Sequence, residues 1–251
     1  MTTANLIIDR AGPRTTLTLN RPHRLNALDA ALVEELTAAF EAAARDGTRL
    51  LAVRGAGRGF SAGFDFTDLE HQSEGDLVLR FIRLEQLLQV VASAPFMTMV
   101  LVHGPCYGAA ADLVAACALR IGTADTHFRM PGLRFGIALG TTRLARLVGT
   151  DAARALLSTS RVFDAEEARR IGFLTRIAAH DDWLELTEQA TADATELSAD
   201  SLSRMLALTR NAAAGDDSAA LAALVNTLAV PGLKARIAAY LASLKQSAPS
   251  R

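Results

Sequence analysis

Two short, almost wholly apolar runs constrain this chain more than any other feature. They are Leu50-Leu51-Ala52-Val53 and the stretch FMTMVLV at 96–102. Neither alternates apolar with polar, so each reads as a strand buried on both faces, the habit of a sheet covered by helices. Between them, residues 77–93 place Leu77, Phe81, Leu84, Leu88 and Val91 at helical spacing, and Pro95 ends that helix. Ahead of them, residues 29–46 carry Leu32, Val33, Leu36, Phe40 and Ala43 in the same rhythm, with Gly47 as a stop. Residues 6–8 and 15–19 read as short strands around Ala11-Gly12-Pro13, and a third helix begins within GAAADLVAACA. Strands alternating with helices predict an α/β core.

From about residue 142 the pattern changes. Ala, Leu and Glu dominate, every segment reads as helix, and only LTRIA at 174–178 reads as a strand. The expected organisation is an α/β core over 1–195 and a C-terminal helical region over 196–251, with SAPSR frayed at the end. Leu233, Ile237, Tyr240, Leu241 and Leu244 form an apolar stripe there, fit either for an interface between copies or for the core.

With 251 residues the chain suffices for one large domain or a core with an appendage. A formal net charge of −1 excludes recruitment of nucleic acid or acidic membranes by a global field. No apolar run is long enough for a membrane span, and MTTANLIIDR lacks the layout of a signal peptide. Cys106 and Cys117 suggest no disulfide framework, so a reducing cytoplasm is expected.

Two loops that follow the buried strands carry the chemistry: Ser61-Ala62-Gly63-Phe64-Asp65, and Gly104 to Asp112. Gly108 opens a helix whose first turn is Ala109-Ala110-Ala111. The first N–H groups of a helix have no internal partner and lie at its positive end, so an oxygen gaining charge would be stabilised there. The alternative is that small residues serve helix–strand packing, and on this stretch alone that is the commoner case. Asp112 is the single charge in AAADLVAACA. Burial would raise its pKa and suit it to proton transfer; a carboxylate settled near a helix N-terminus and inert is the other reading. Gly55-Ala56-Gly57-Arg58-Gly59-Phe60 follows a strand as a dinucleotide fingerprint would, but Phe60 stands at the third glycine position and no helix opens there. His103 is expected to be structural, Arg134 and Arg143 exposed, and both cysteines core residues. No cluster has metal-ligand spacing and no G-x-S-x-G elbow occurs.

At these residues the chain resembles the enoyl-CoA hydratase/isomerase, or crotonase, family. LNRPHRLNALD at 19–29, GRGFSAGFDFTDL at 57–69, and VHGPCYGAAADLVAACALRIGTADTHFRMPGLRFG at 102–136 look like its signatures. RLARLVG and LLSTSRVFDAEEARRIGFLTRI look like the segments that follow. The resemblance implies a spiral core of repeated β-β-α turns and a C-terminal helical region that takes part in oligomerisation. It implies an acyl-CoA thioester as substrate with no tightly bound cofactor, and a homotrimer or hexamer. The N–H groups of Phe64 and Ala109 would hold the thioester oxygen, and Asp112 would fall where the first of two catalytic glutamates stands. Arg24, Leu25, Ala62, Asp65, Gly108 and Gly132 would contact coenzyme A or its acyl group. The second glutamate falls at Gly132, which can move no proton. The resemblance implies an enoyl-CoA hydratase or isomerase. The departure counts against standard two-carboxylate hydration and leaves open a reaction needing one base, such as a double-bond shift; a binding protein without turnover or another crotonase reaction is the alternative. Asp65, Asp68 and Glu70 are candidates to replace the missing carboxylate.

Overall fold

In a computed structural model, residues 4–211 and 217–246 are described. The chain opens with an antiparallel hairpin, β1 (Leu6–Ala11) and β2 (Arg14–Leu19), with Leu6 opposite Leu19. Helix α1 (Ala30–Ala43) leads to β3 (Leu50–Gly55), and α2 (Glu74–Ala92) leads to β4 (Met97–Val102). Then the rhythm becomes explicit: β4, β5 (Pro105–Tyr107) and α3 (Ala109–Ala116) are followed by β6 (Leu119–Gly122), β7 (His127–Arg129) and α4 (Thr141–Val148). In each turn the first strand joins a large sheet and the second joins a small one. The turn before them follows the same path, because Ser61 after β3 bridges Cys106 of β5 in parallel. This is the expected spiral of β-β-α turns. Helix α5 (Thr150–Thr159), β8 (Phe163–Asp164), α6 (Ala165–Arg170) and β9 (Arg176–Ile177) complete the core. Helices α7 (Trp183–Glu196), α8 (Ala199–Asn211), α9 (Asp217–Leu228) and α10 (Leu233–Gln246) follow.

The large sheet runs β1-β2-β3-β4-β6-β9, parallel from β2 onward, and the small one runs β5-β7-β8. The lack of alternation in β3 and β4 has a direct cause. Leu51, Val53, Val100 and Val102 face a core shared with α1 and α2, while Leu50, Ala52, Met99 and Leu101 face Trp183 of α7. Each of these Leu, Val and Met side chains stabilises the fold by roughly 1.5–3 kcal/mol when buried. Leu224, Leu228, Leu233 and Ile237 of α9 and α10 belong to the first of these cores, with Tyr240 and Leu241 packed beside them. Most of the apolar stripe of the last helix therefore packs on its own chain, while Leu244 stays exposed.

Several boundaries differ from expectation. Helix α2 starts at Glu74 rather than near 77, because Ser73 and Asp76 form a reciprocal capping box. Helix α1 ends at Ala43, with Asp29 as its N-cap. Strands β5, β6 and β8 have two to four residues, too few for a period to register. The terminal SAPSR lies outside the described residues. Among the described residues no single helix is long and apolar enough to cross a membrane.

Candidate active site

The stretch LNRPHRLNALD acts as a clamp on the first glycine-rich loop. The Asn26 amide donates to the carbonyls of Ala56 and Phe60 at 2.8 and 3.0 Å, and the Ser61 hydroxyl donates to the Asn26 carbonyl at 2.7 Å. Backbone bonds finish the seam: Ala62 N–H to Leu25, Leu28 N–H to Gly63, and Asp65 N–H to Leu28. The Arg21 guanidinium sits between Asp29 and Asp65, 2.9 Å from each carboxylate. Burial alone would raise the Asp65 carboxyl, but hydrogen bonds from Thr67 and from Arg21 outweigh it and hold the group below the usual carboxylate range. From the other side, the His103 Nε2–H donates to the Gly57 carbonyl at 2.8 Å, which fits its expected structural role.

The clamp brings the two loops into contact. Gly63 has a φ of +82°, and a Cβ there would lie 2.2 Å from the Tyr107 carbonyl oxygen and 3.1 Å from the Ala109 nitrogen. Only glycine permits that approach. Gly108 precedes α3, and the first helical bond runs from Asp112 N–H to the Gly108 carbonyl at 3.1 Å. The N–H of Ala109 therefore lies before the first bond of the helix. Neither it nor the N–H of Phe64 meets an acceptor among the described residues.

Both residues line a cavity of about 330 Å³, together with Ala62, Gly108, Asp112 and Gly132. Six sequence candidates thus meet in one place. Arg24, Leu25 and Asp65 do not line it. Leu25 is one backbone hydrogen bond away through Ala62, and Arg24 and Asp65 border a separate surface depression with Arg80. Asp68 borders that depression as well, so neither it nor Asp65 stands in for the missing carboxylate. Asp112 is the single carboxylate lining the cavity among the described residues. The walls are aromatic. Phe64 does not project across the space: its ring stacks on Phe81 with centroids 4.2 Å apart, under the Arg80 guanidinium. Phe66, Phe135 and Tyr240 continue the wall.

Gly132 is more than an absent side chain. A Cβ there would lie 2.8 Å from the Ile137 carbonyl oxygen, so the turn has closed over the position. Asp112 is 4% exposed. Burial pushes its carboxyl well above the usual range; Arg143 opposes that push and Glu85 adds to it. Gly140, the N-cap of α4, lies directly against Asp112, since a Cβ on it would fall 2.1 Å from Oδ1. Arg143 is not the exposed side chain its sequence context suggested. Its side chain is 12% exposed, and it pairs at 3.1 Å with Glu85 of α2, which is 1% exposed. Glu85 was legible in principle: it falls four residues after Phe81, on the apolar stripe of its helix. Burial raises both thiols, Cys117 to about 12, and keeps them neutral as core residues. No group of three or more metal-binding side chains occurs among the described residues.

A family model described as enoyl-CoA hydratase/isomerase matches residues 15–228. This chain belongs to that family. A protein of Mycobacterium tuberculosis assigned as an enoyl-CoA hydratase is 34% identical over 175 residues, covering 68% of this chain and 69% of its own. The mitochondrial Delta(3,5)-Delta(2,4)-dienoyl-CoA isomerase of Rattus norvegicus is 31% identical over 175 residues, covering 63% of this chain and 54% of its own. A crystal structure from Bordetella parapertussis, assigned as an enoyl-CoA hydratase/isomerase, superposes with a TM-score of 0.93. It is 49% identical and covers 96% of this chain and 99% of its own.

Proposed function

We propose that this family member shifts a double bond in an enoyl-CoA thioester, using Asp112 as its single acid/base. The observation that carries the reading is the closed space at Gly132: among the described residues the cavity has one carboxylate, and a side chain on Gly132 would start 2.8 Å from the Ile137 carbonyl oxygen. Hydration divides its proton and water handling between two groups. Isomerisation needs one group that removes a proton and returns it.

The step is balanced. The Asp112 carboxylate takes a proton from C2 of a 3-enoyl thioester. The electron pair delocalises onto the thioester oxygen, which the N–H groups of Phe64 and Ala109 hold as an enolate. The Asp112 carboxylic acid then returns the proton at C4, leaving the double bond between C2 and C3. A carboxyl raised by burial is a stronger base than an exposed one, which suits removal of a carbon-bound proton near neutral pH. Gly108 and Gly132 border the acyl group in this reading. The coenzyme nucleotide lies toward Ala62 and the Arg24–Leu25 segment, with Asp65 behind them. No tightly bound cofactor takes part. Family membership further supports a homotrimer or hexamer, and the free, buried Cys106 and Cys117 accord with a reducing cytoplasm; a monomeric sedimentation mass at micromolar concentration would contradict the assembly.

Purified protein given 3-enoyl-CoA and 2-enoyl-CoA tests the proposal. The expected result is isomerisation without comparable hydration, and a fall in turnover of about 10²–10⁴-fold in Asp112→Asn. Hydration as fast as isomerisation, or unchanged turnover in Asp112→Asn, would overturn it. Tight binding with no turnover of either thioester would identify a binding protein instead.

A further inference from the structure

Three ionisable side chains from helices far apart in sequence meet behind the cavity: Glu85 from α2, Asp112 from α3 and Arg143 from α4. Their hydrogen bonding is incomplete in a complementary way. Asp112 Oδ1, an acceptor, and Arg143 Nη1, a donor, are both buried with no partner. The other terminal nitrogen of Arg143 is committed to Glu85 Oε1 at 3.1 Å, and Glu85 Oε1 also accepts from the Gln89 amide at 3.2 Å. Buried polar atoms are nearly always satisfied, so two opposite orphans at one place mark an unfinished connection. Gly140 sets their proximity. It lies against Asp112 Oδ1, and Arg143 follows it by three residues, in the first turn of α4.

We infer that Arg143 is a positioning residue for Asp112, anchored from behind by Glu85, and that this pair sets when Asp112 carries its charge. A hydrogen bond from Nη1 to Oδ1, direct or relayed, would satisfy both orphans at once. Glu85 cannot itself reach substrate, because Arg143 engages it and it does not line the cavity. Its role is to fix the guanidinium and to limit how strongly that charge acts on Asp112. The groups facing Asp112 are thus Arg143 from α4, Glu85 from α2 and the neutral Cys106 thiol from β5. Of these, Arg143 favours the carboxylate and Glu85 favours the acid. In the catalytic cycle Asp112 alternates between the two forms, and the pair keeps both accessible in a site where burial alone would hold the acid.

This inference rests on Asp112 being the base named above, and its test separates the two claims. Protein labelled with ¹³C at aspartate carboxyl groups is titrated by NMR, with the Asp112 signal assigned by its loss in Asp112→Asn. Turnover is measured against pH in parallel. In Arg143→Met the Asp112 midpoint should rise by about one pH unit or more, and the acidic limb of kcat should move with it. In Glu85→Gln both should move down, and in Arg143→Lys the midpoint should fall between wild type and Arg143→Met. Opposite movements are the signature, since a packing defect would not change sign with the charge removed. No movement, or movement in one direction for both charge removals, would overturn the inference. If Arg143→Met does not fold, Arg143→Lys and Glu85→Gln carry the test. If Asp112→Asn keeps its turnover, the proposed isomerisation falls while the NMR midpoints still decide on Arg143.

Discussion

Two parts of the cavity wall are built by different means. One consists of backbone groups: the N–H groups of Phe64 and Ala109, set by the Gly63 contact and by the clamp from Asn26 and Arg21. The other consists of side chains: Asp112, with Arg143 and Glu85 behind it. A backbone site tolerates change in side chains so long as the turn survives, which is why a phenylalanine can stand at position 64. A side-chain site depends on length and charge, and there the glycine at position 132 bears on which reaction fits. On the proposed reading, polarisation of the thioester and movement of its proton rest on separable parts of the site.

Each part can be disturbed separately. Gly63→Ala attacks the backbone part, placing a Cβ 2.2 Å from the Tyr107 oxygen in a left-handed conformation. Displacing one donor should lower kcat by about 10²–10³-fold, and steady-state kinetics against pH should show the acidic limb unmoved. An acidic limb that shifts as well would mean that the two parts are coupled. Gly132→Glu probes whether the side-chain part can simply be completed. The collision with the Ile137 carbonyl at 2.8 Å should destabilise the fold by about 1–3 kcal/mol in urea unfolding, with no hydration gained. A smaller effect concerns pH. Asp112 has a raised carboxyl in the fold, so its contribution to stability is fully present below the unfolded value of about 3.9 and is lost as pH rises through the folded one. Asp112→Asn should therefore gain stability relative to wild type as pH increases from 4 to 8. A flat difference across that range in urea titrations would show that Asp112 is not carried as a buried acid.

What the sequence disclosed follows the same division. Gly108 and Asp112 stood out locally, as a glycine opening a helix and the single charge of an apolar stretch, while Phe64 and Ala109 followed from the resemblance to the family's signatures; the structure brings all four to one cavity wall. The strands β3 and β4 were legible because burial on both faces leaves an unbroken apolar run. Arg143 was expected to be exposed and Glu85 was not singled out, although it falls on an apolar stripe, because their partnership spans 58 residues and nothing local distinguishes a buried arginine from an exposed one. The clamp by Asn26 and Arg21 was missed for the same reason. Asn26 and Arg21 were not singled out, and Asp65 was expected as a ligand contact, whereas the structure commits it to Arg21 and Thr67.

The closure at Gly132 also bears on how such a site can change over generations. With the Ile137 carbonyl seated over the position, a glutamate is not one substitution away in any useful sense. The turn from 132 to 137 must open before, or together with, the arrival of a second carboxylate. The accommodation therefore works as a ratchet. Single-site libraries at position 132 should return only damaged protein, and a two-carboxylate descendant should be reachable only through variants that first loosen the turn and gain nothing from it.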